Sequence, residues 1–367
     1  MNKRVAIAAL ALVVPLAAGT SIAAGQARPA AREANGSGKA ITLDGAGANS
    51  IDPFFQRVFY DYHQKYSNVT INYSPAGSSV GVSDIQQGTV AFGDSEIPMA
   101  AKDLALAKGT VLQLPVDLGG VAISYNVPGV PSGLKLDAPT LAAIFEGLIT
   151  NWDSPAIAQV TGESNLPNLR IVPVHRADSS GPGWDLDEYL IQNSPNWVAK
   201  TGTSTPSKSW PLAKVGVGEQ LNSGVATYIS NTPGAIGYVE YGYALAAGFT
   251  NAAVRNSSGS YVAPSASAID QAGLHAAAKL SSTNFNIIDE PGANTYPLAN
   301  FSWTLLYQKQ ANSNTGVALQ RLFTYVITTG QLQAAKLGYA PLPLSVVALS
   351  KQALGQVENS AGKLLSS

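Results

Sequence analysis

The sequence contains no cysteine, only two methionines and three histidines, and its charged residues make up 12% of 367. Without cysteine there is no disulfide, no thiolate metal ligand, and no attachment point for the lipid of a bacterial lipoprotein. The charged share is about half the usual ~25%, and the 22 basic residues are matched by 23 acidic ones. This excludes the broad basic field that a nucleic acid or an anionic membrane surface requires. Charge recognition must be local. Long hydrophobic runs are missing too: the run from Val5 to Ala18 is too short for a bilayer-spanning helix, which takes about 20 apolar residues. His63, His175 and His275 are too few and too scattered for a metal site, and a lone histidine is more often structural than catalytic, which disfavours serine-hydrolase chemistry. Neither GxGxxG nor GK[ST] is present, so nucleotide binding is disfavoured as well.

The beginning of the chain does carry a pattern. Lys3 and Arg4 precede the apolar run, and small residues follow through Ala23, Ala24 and Ala27, the order of a secretory signal peptide. The expectation is a signal peptide over 1–27, a small, polar, flexible leader over 28–40 (RPAAREANGSGKA), and an exported mature protein, periplasmic or secreted. The remaining chain, roughly 340 residues, exceeds what one hydrophobic core organises, so two domains are expected.

From position 41 onward, strand-like and helix-like segments alternate, the signature of an α/β fold with parallel strands and crossover helices. Phe55, Val58, Phe59, Tyr62 and Tyr66 recur at helical spacing over 52–66, with Pro53 in the first turn. TVLQLPV and GGVAISYNV (110–127) read as extended segments meeting near Asp117-Leu118, and further extended segments are expected around 283–289 and 297–307.

Three loops each follow a strand and precede a helix: GAGANS (45–50), AGSSVG (76–81) and HRADSSGPGWD (175–185). Taken singly, each reads as an ordinary helix cap. Ligands of open α/β sheets sit outside the carboxyl ends of the strands, so the three could converge on one cleft. An arginine, hydroxyls and free N–H groups at helix starts are what a small anion needs. Pro182 removes one such donor while suiting the first position of a helix.

With these loops on the page, the chain resembles the phosphate-binding proteins of bacterial phosphate ABC transporters, in the type II periplasmic-binding-protein superfamily. The matching segments run in order: GAGANSIDPFF, INYSPAGSSVGVSDI, VAFGDSEIPM, LGGVAISYNVPG, NWDSPAIAQV, VHRADSSG, PGAIGYVEYGYA and LGYAPLP. The resemblance implies two Rossmann-like lobes, 41–117 with 299–367 and 118–298, joined by two crossover strands near Asp117-Leu118 and Tyr296-Phe301 around a ligand cleft. It implies a monomer that captures inorganic phosphate and delivers it to a membrane permease, with no catalysis, no cofactor and no metal. It places ligand contacts at Asn49, Ser50 and Ser78, a carboxylate at Glu96, the guanidinium at Arg176 with Asp178 as its partner, and helix-start donors at Ser180 and Gly181. The family pattern has threonine at 49, aspartate at 96 and threonine at 182, where this chain has Asn49, Glu96 and Pro182. Those departures keep a second anion, or a phosphate ester, open as ligand. The missing lipid anchor keeps a secreted phosphatase or surface-interaction protein on this scaffold open too.

The chemistry of these roles is direct. Arg176 offers a bidentate fork to two ligand oxygens, and Asp178 can orient it. Glu96 can accept a hydrogen bond from a protonated anion, whereas a fully ionised one leaves it an unpaired acceptor, which separates phosphate from sulfate.

Overall fold

The computed structural model describes residues 39–163, 165–281 and 286–366. The signal segment 1–27, most of the leader 28–40 and part of the extended segment expected at 283–289 lie outside them.

Eight strands carry the architecture: β1 (Ile41–Gly47), β2 (Val69–Ser74), β3 (Phe92–Ser95), β4 (Val111–Tyr125), β5 (Val172–Arg176), β6 (Val217–Glu219), β7 (Ala235–Glu240) and β8 (Ala299–Tyr307). They lie side by side in the order β2-β1-β3-β8-β4-β7-β5-β6, with the short strand Thr250–Asn251 added against β4. The pairs within β2-β1-β3 and within β7-β5-β6 are parallel, and the antiparallel strands β8 and β4 join the two groups. Strand β4 serves both. Its residues Val111–Gly120 pair with β8, while Val121–Tyr125 pair with β7. It is buried along all but its first residue, which is why it reads as an almost unbroken apolar run rather than an alternating one.

The two extended segments expected on either side of Asp117 are therefore one strand. Pro115 makes the sequence look interrupted, because a proline in a central strand cannot donate to the ladder. The structure accommodates it with a bulge: the register shifts between Ser302 and Trp303, which face Asp117 and Pro115, and Ser302 N instead donates to Asp117 Oδ1 at 2.9 Å.

Helices α1 (Asp52–Lys65), α2 (Ser78–Gln87) and α3 (Gly181–Asn193) follow β1, β2 and β5. The apolar stripe of α1 buries Phe55 and Phe59 against each other, ring centroids 4.5 Å apart, and against Phe92 of β3. This fixes the start of α1 over the ends of β1 and β3. Pro182 lies one residue inside α3 rather than at its first position, since the helix begins at Gly181. Among the described residues no helix is long and apolar enough to cross a membrane.

Candidate functional site

Four strands deliver chemistry at their carboxyl ends. Asn49 and Ser50 follow β1, Glu96 follows β3 directly, Arg176 is the last residue of β5, and Glu240 the last of β7. Asn49, Ser50, Ser78, Glu96, Arg176 and Ser180 are all buried, as is Gly181, and Asp178 is partly so. For Arg176 the exposure is 2%, which an arginine sustains only with partners.

Four of the predicted residues, Ser50, Ser78, Arg176 and Gly181, meet at Glu96, while Asn49, Asp178 and Ser180 take other partners. The Glu96 N–H donates to Ser78 Oγ at 3.3 Å, and its side chain lies close enough to Ser50 and Arg176 for both to hold its proton affinity down. Gly181 backs directly onto it: a Cβ built there would stand 2.1 Å from Glu96 Oε2 and 2.4 Å from Glu96 Cβ. Only glycine allows α3 to begin that close. Gly77, which precedes α2 at φ +106°, is the second position that requires glycine.

Arg176 is clamped by Asp178, with Nε to Oδ1 at 2.7 Å and Nη2 to Oδ2 at 2.5 Å. Burial alone would raise the Asp178 carboxyl, but the guanidinium's hydrogen bonds and charge outweigh it and hold the group below its ordinary value. Two of the five guanidinium donors are spent this way, which leaves the remaining edge for a ligand.

The helix starts supply the rest. α1 and α2 have no side-chain cap at Ile51 and Gly77. Among the described residues nothing accepts from the N–H of Ser78, Ser79 or Gly181, so these donors remain available, as they do at helix starts generally. Ser50 Oγ is buried and, among the described residues, has no hydrogen-bond partner other than the Glu96 carboxyl beside it. Ser180 is the exception. Its Oγ caps α3 by accepting from Gly183 N at 3.1 Å, so Gly183 does not replace the donor that Pro182 lacks. Asn49 has its amide committed as well, accepting from Asn222 N at 2.9 Å and donating to the Tyr243 hydroxyl at 2.8 Å. Ser79 and Ser179 join their hydroxyls at 2.5 Å, tying the second loop to the third.

Sequence reasoning passed over several acids. Asp185 on α3, Glu240 and Asp117 are buried in the same place, and Asn300 on β8 reaches Glu96 Oε1 at 3.1 Å and Asp185 Oδ2 at 2.8 Å. Both GYVEYGYA and HRADSSGPGWD contain one of these acids, but nothing local marks it as buried. Burial pushes Glu96 up to about 8 and Asp117 to about 7, and burial followed by the charge of Glu96 raises Asp185 and Glu240 well above the usual carboxyl range. Among the described residues no group of three or more acids and histidines is arranged to hold a metal ion.

These shifts make stability pH-dependent. Glu96 and Asp117 bind protons more tightly folded than unfolded, so their contribution is intact below about pH 4 and is lost as pH rises through about 7 to 8. The melting temperature of the ligand-free protein should fall between pH 5 and pH 8 in a calorimetric scan; a flat profile would contradict the burial of neutral acids here.

A fork of guanidinium donors, orphan N–H groups from helix starts and one protonatable acceptor, all buried, can dehydrate and hold a tetrahedral oxyanion. The fold is that of the type II periplasmic binding proteins: it matches the phosphate-binding protein from Stenotrophomonas maltophilia at a TM-score of 0.65, with 18% identity over 85% of this chain and 93% of that one. It matches a high-affinity periplasmic phosphate-binding protein, solved with phosphate bound, equally well, again at 18% identity and over the same shares of the two chains. The family model described as a PBP superfamily domain covers residues 29–328. The phosphate-binding protein PstS of Pasteurella multocida is 34% identical over 331 residues, 89% of this chain and 94% of its own. PstS3 of Mycobacterium bovis is 31% identical over 317 residues, 82% and 83% of the two chains. The chain belongs to the PBP superfamily and, within it, to the PstS family of phosphate-binding proteins.

Proposed function

We propose that this protein captures inorganic phosphate outside the cytoplasmic membrane and hands it to the permease of a phosphate ABC transporter, without chemical conversion. The observation that carries this reading is the meeting of one buried, clamped guanidinium with a buried carboxyl amid orphan helix-start donors. The ligand contacts are Ser50, Ser78, Glu96, Arg176 and Gly181, with Asp178 orienting Arg176. Asn49 acts through its backbone N–H, since its amide is in use, and Ser180 through its hydroxyl hydrogen, since its Oγ accepts from Gly183 N and its N–H donates to Lys208 O at 3.2 Å.

The ligand lies between two lobes, 41–117 with 299–367 and 118–298. Ser79–Ser179, Asn49–Asn222 and the 3.1 Å ion pair of Asp103 with Lys208 all bridge these parts. Bonds of this kind form only when the lobes are together, so a ligand that joins donors from both favours closure. Ligand-stripped protein should bind phosphate at a single site with micromolar affinity or better, about −8 kcal/mol, and should release none from a phosphate monoester. A flat calorimetric trace would contradict the reading.

Glu96 makes the selectivity depend on pH. Below about pH 8 its carboxyl is protonated in the free protein and can donate to a fully ionised oxygen; above it, the carboxylate only accepts. Discrimination against sulfate should therefore grow as pH rises through about 8. Glu96→Gln should abolish that growth. At pH 9 the variant should bind phosphate roughly tenfold or more weakly, one charge-assisted hydrogen bond of about 1.5 to 3 kcal/mol, and sulfate better. An unchanged sulfate exclusion in the variant at pH 9 would remove Glu96 from this role.

A further inference from the structure

Asn300 occupies an unusual position. Its Nδ2 donates to Glu96 and to Asp185 and stands 3.5 Å from Glu240 Oε2, so one amide faces three carboxyl groups from three different elements. Asn300 is 5% exposed, Asp185 3% and Glu240 1%. The cavity beside Glu96, Asp185 and Asn300 is about 10 Å³, room for about one water and too small for an anion. The cluster therefore acts on the Glu96 carboxyl and not on a second ligand.

We propose that Asn300 is the positioning residue that decides which anion the cleft accepts, by holding the Glu96 carboxyl through the amide it shares with Asp185 as the acceptor for a ligand O–H. The inference rests on the phosphate reading above. An amide has two N–H bonds, and here both point to carboxyl oxygens, so it rewards negative charge on either acid. The other groups around Glu96 decide where that charge settles. Among the described residues, Asp94 on β3, Asp117 on β4, Asp185 on α3 and Glu240 on β7 are acidic, Arg176 on β5 is the cation beside them, and Tyr73 and Tyr339 feel the charge of Glu96 in turn. Ser50, Arg176 and Asn300 favour ionised Glu96, whereas Asp185 and Glu240 are driven toward the neutral form by burial and then by Glu96 itself. Of the three acids that face the Asn300 amide, Glu96 is the one that gives up its proton most readily, and Asn300 is one of the groups that make it so.

Replacing the amide should move the onset of sulfate exclusion. Asn300→Asp removes both donors and adds an acid, so the pH at which discrimination against sulfate appears should rise by about one unit or more. Asn300→Ala removes the donors without adding charge and should shift it in the same direction, while Asn300→Ser, which keeps one donor, should restore part of the wild-type profile. The experiment is calorimetric titration of ligand-stripped wild type and the three variants with phosphate and with sulfate from pH 6 to pH 10. Phosphate's own ionisation is common to every protein and cancels in the comparison. Upward displacement in Asn300→Asp or Asn300→Ala supports the inference. A ratio profile that stays at the wild-type pH in a variant that still binds phosphate overturns it and leaves the function standing, since a merely structural role changes both affinities by one factor at every pH. Absence of phosphate binding by the wild type overturns the function and this inference together.

Discussion

Arg176→Ala should lose phosphate affinity by some hundred- to thousandfold. Two effects add. The substitution deletes the guanidinium donors that Asp178 leaves free, each charge-assisted bond being worth about 1.5 to 3 kcal/mol. It also strands Asp178, whose carboxyl is held down by that guanidinium, next to a second acid at Glu96 and beside the incoming anion. Breaking a buried pair by removing one partner costs roughly 3 to 5 kcal/mol of folding stability, so the variant should also melt lower. Arg176→Lys should recover only part of the loss, because a point charge cannot meet Asp178 and the ligand at once with a planar fork. Arg57→Ala is the control: its pair with Asp61 lies on the exposed face of α1, with half of the Arg57 side chain in solvent, and such pairs contribute little. Calorimetry on the three variants measures the ranking, and equal affinities for Arg176→Ala and Arg57→Ala would make Arg176 a structural residue.

Gly181→Ala should be nearly as damaging, for a steric reason. The added Cβ would fall 2.1 Å from Glu96 Oε2, 2.4 Å from Glu96 Cβ and 2.5 Å from Glu96 Cδ. Swinging the carboxyl aside does not solve this, because the Cβ contact is rigid, so either the start of α3 or the end of β3 must shift. Overpacking of this kind costs typically 1 to 3 kcal/mol of stability. The shift also displaces the Gly181 N–H and the Glu96 acceptor together, so phosphate affinity should drop by roughly thirtyfold or more, about 2 kcal/mol. Gly355→Ala, where an added Cβ meets only ordinary contacts at 3.5 Å, should leave both properties unchanged. A Gly181→Ala protein with wild-type affinity would mean that Glu96 does not sit against the helix start when ligand is bound.

The parts of the site that were legible in the sequence are those a single strand–turn–helix segment builds by itself. Ser50, Ser78, Arg176 with Asp178, and Gly181 each stand in a short loop whose glycines, hydroxyls and following helix point locally to a candidate anion site. What escaped depends on distant partners. Asn300 sits in the apolar stretch PLANFSW and reads as a strand residue; its meaning comes from Glu96, 204 positions away, and Asp185, 115 away. The Asn49 side chain looks free in the sequence, and Asn222 and Tyr243 take up its amide from 173 and 194 positions away, which leaves its backbone N–H. Glu240 ends a strand with nothing near it in sequence to show that it will be buried beside three other acids. For the fold, amphipathic α1 and the strand–loop–helix alternation were readable from periodicity. The continuity of β4 was not, because Pro115 mimics a strand end and only the bulge at Val116, within β4, removes that appearance.

The central claim is that one phosphate ion is held where three helix starts and Arg176 surround Glu96. A crystal structure of the protein loaded with phosphate tests it most directly. The account predicts a single tetrahedral density within hydrogen-bonding distance of the Arg176 guanidinium, Ser50 Oγ, the N–H groups of Ser78 and Gly181, and one oxygen of Glu96. Phosphate bound elsewhere, with that space filled by water, would contradict it.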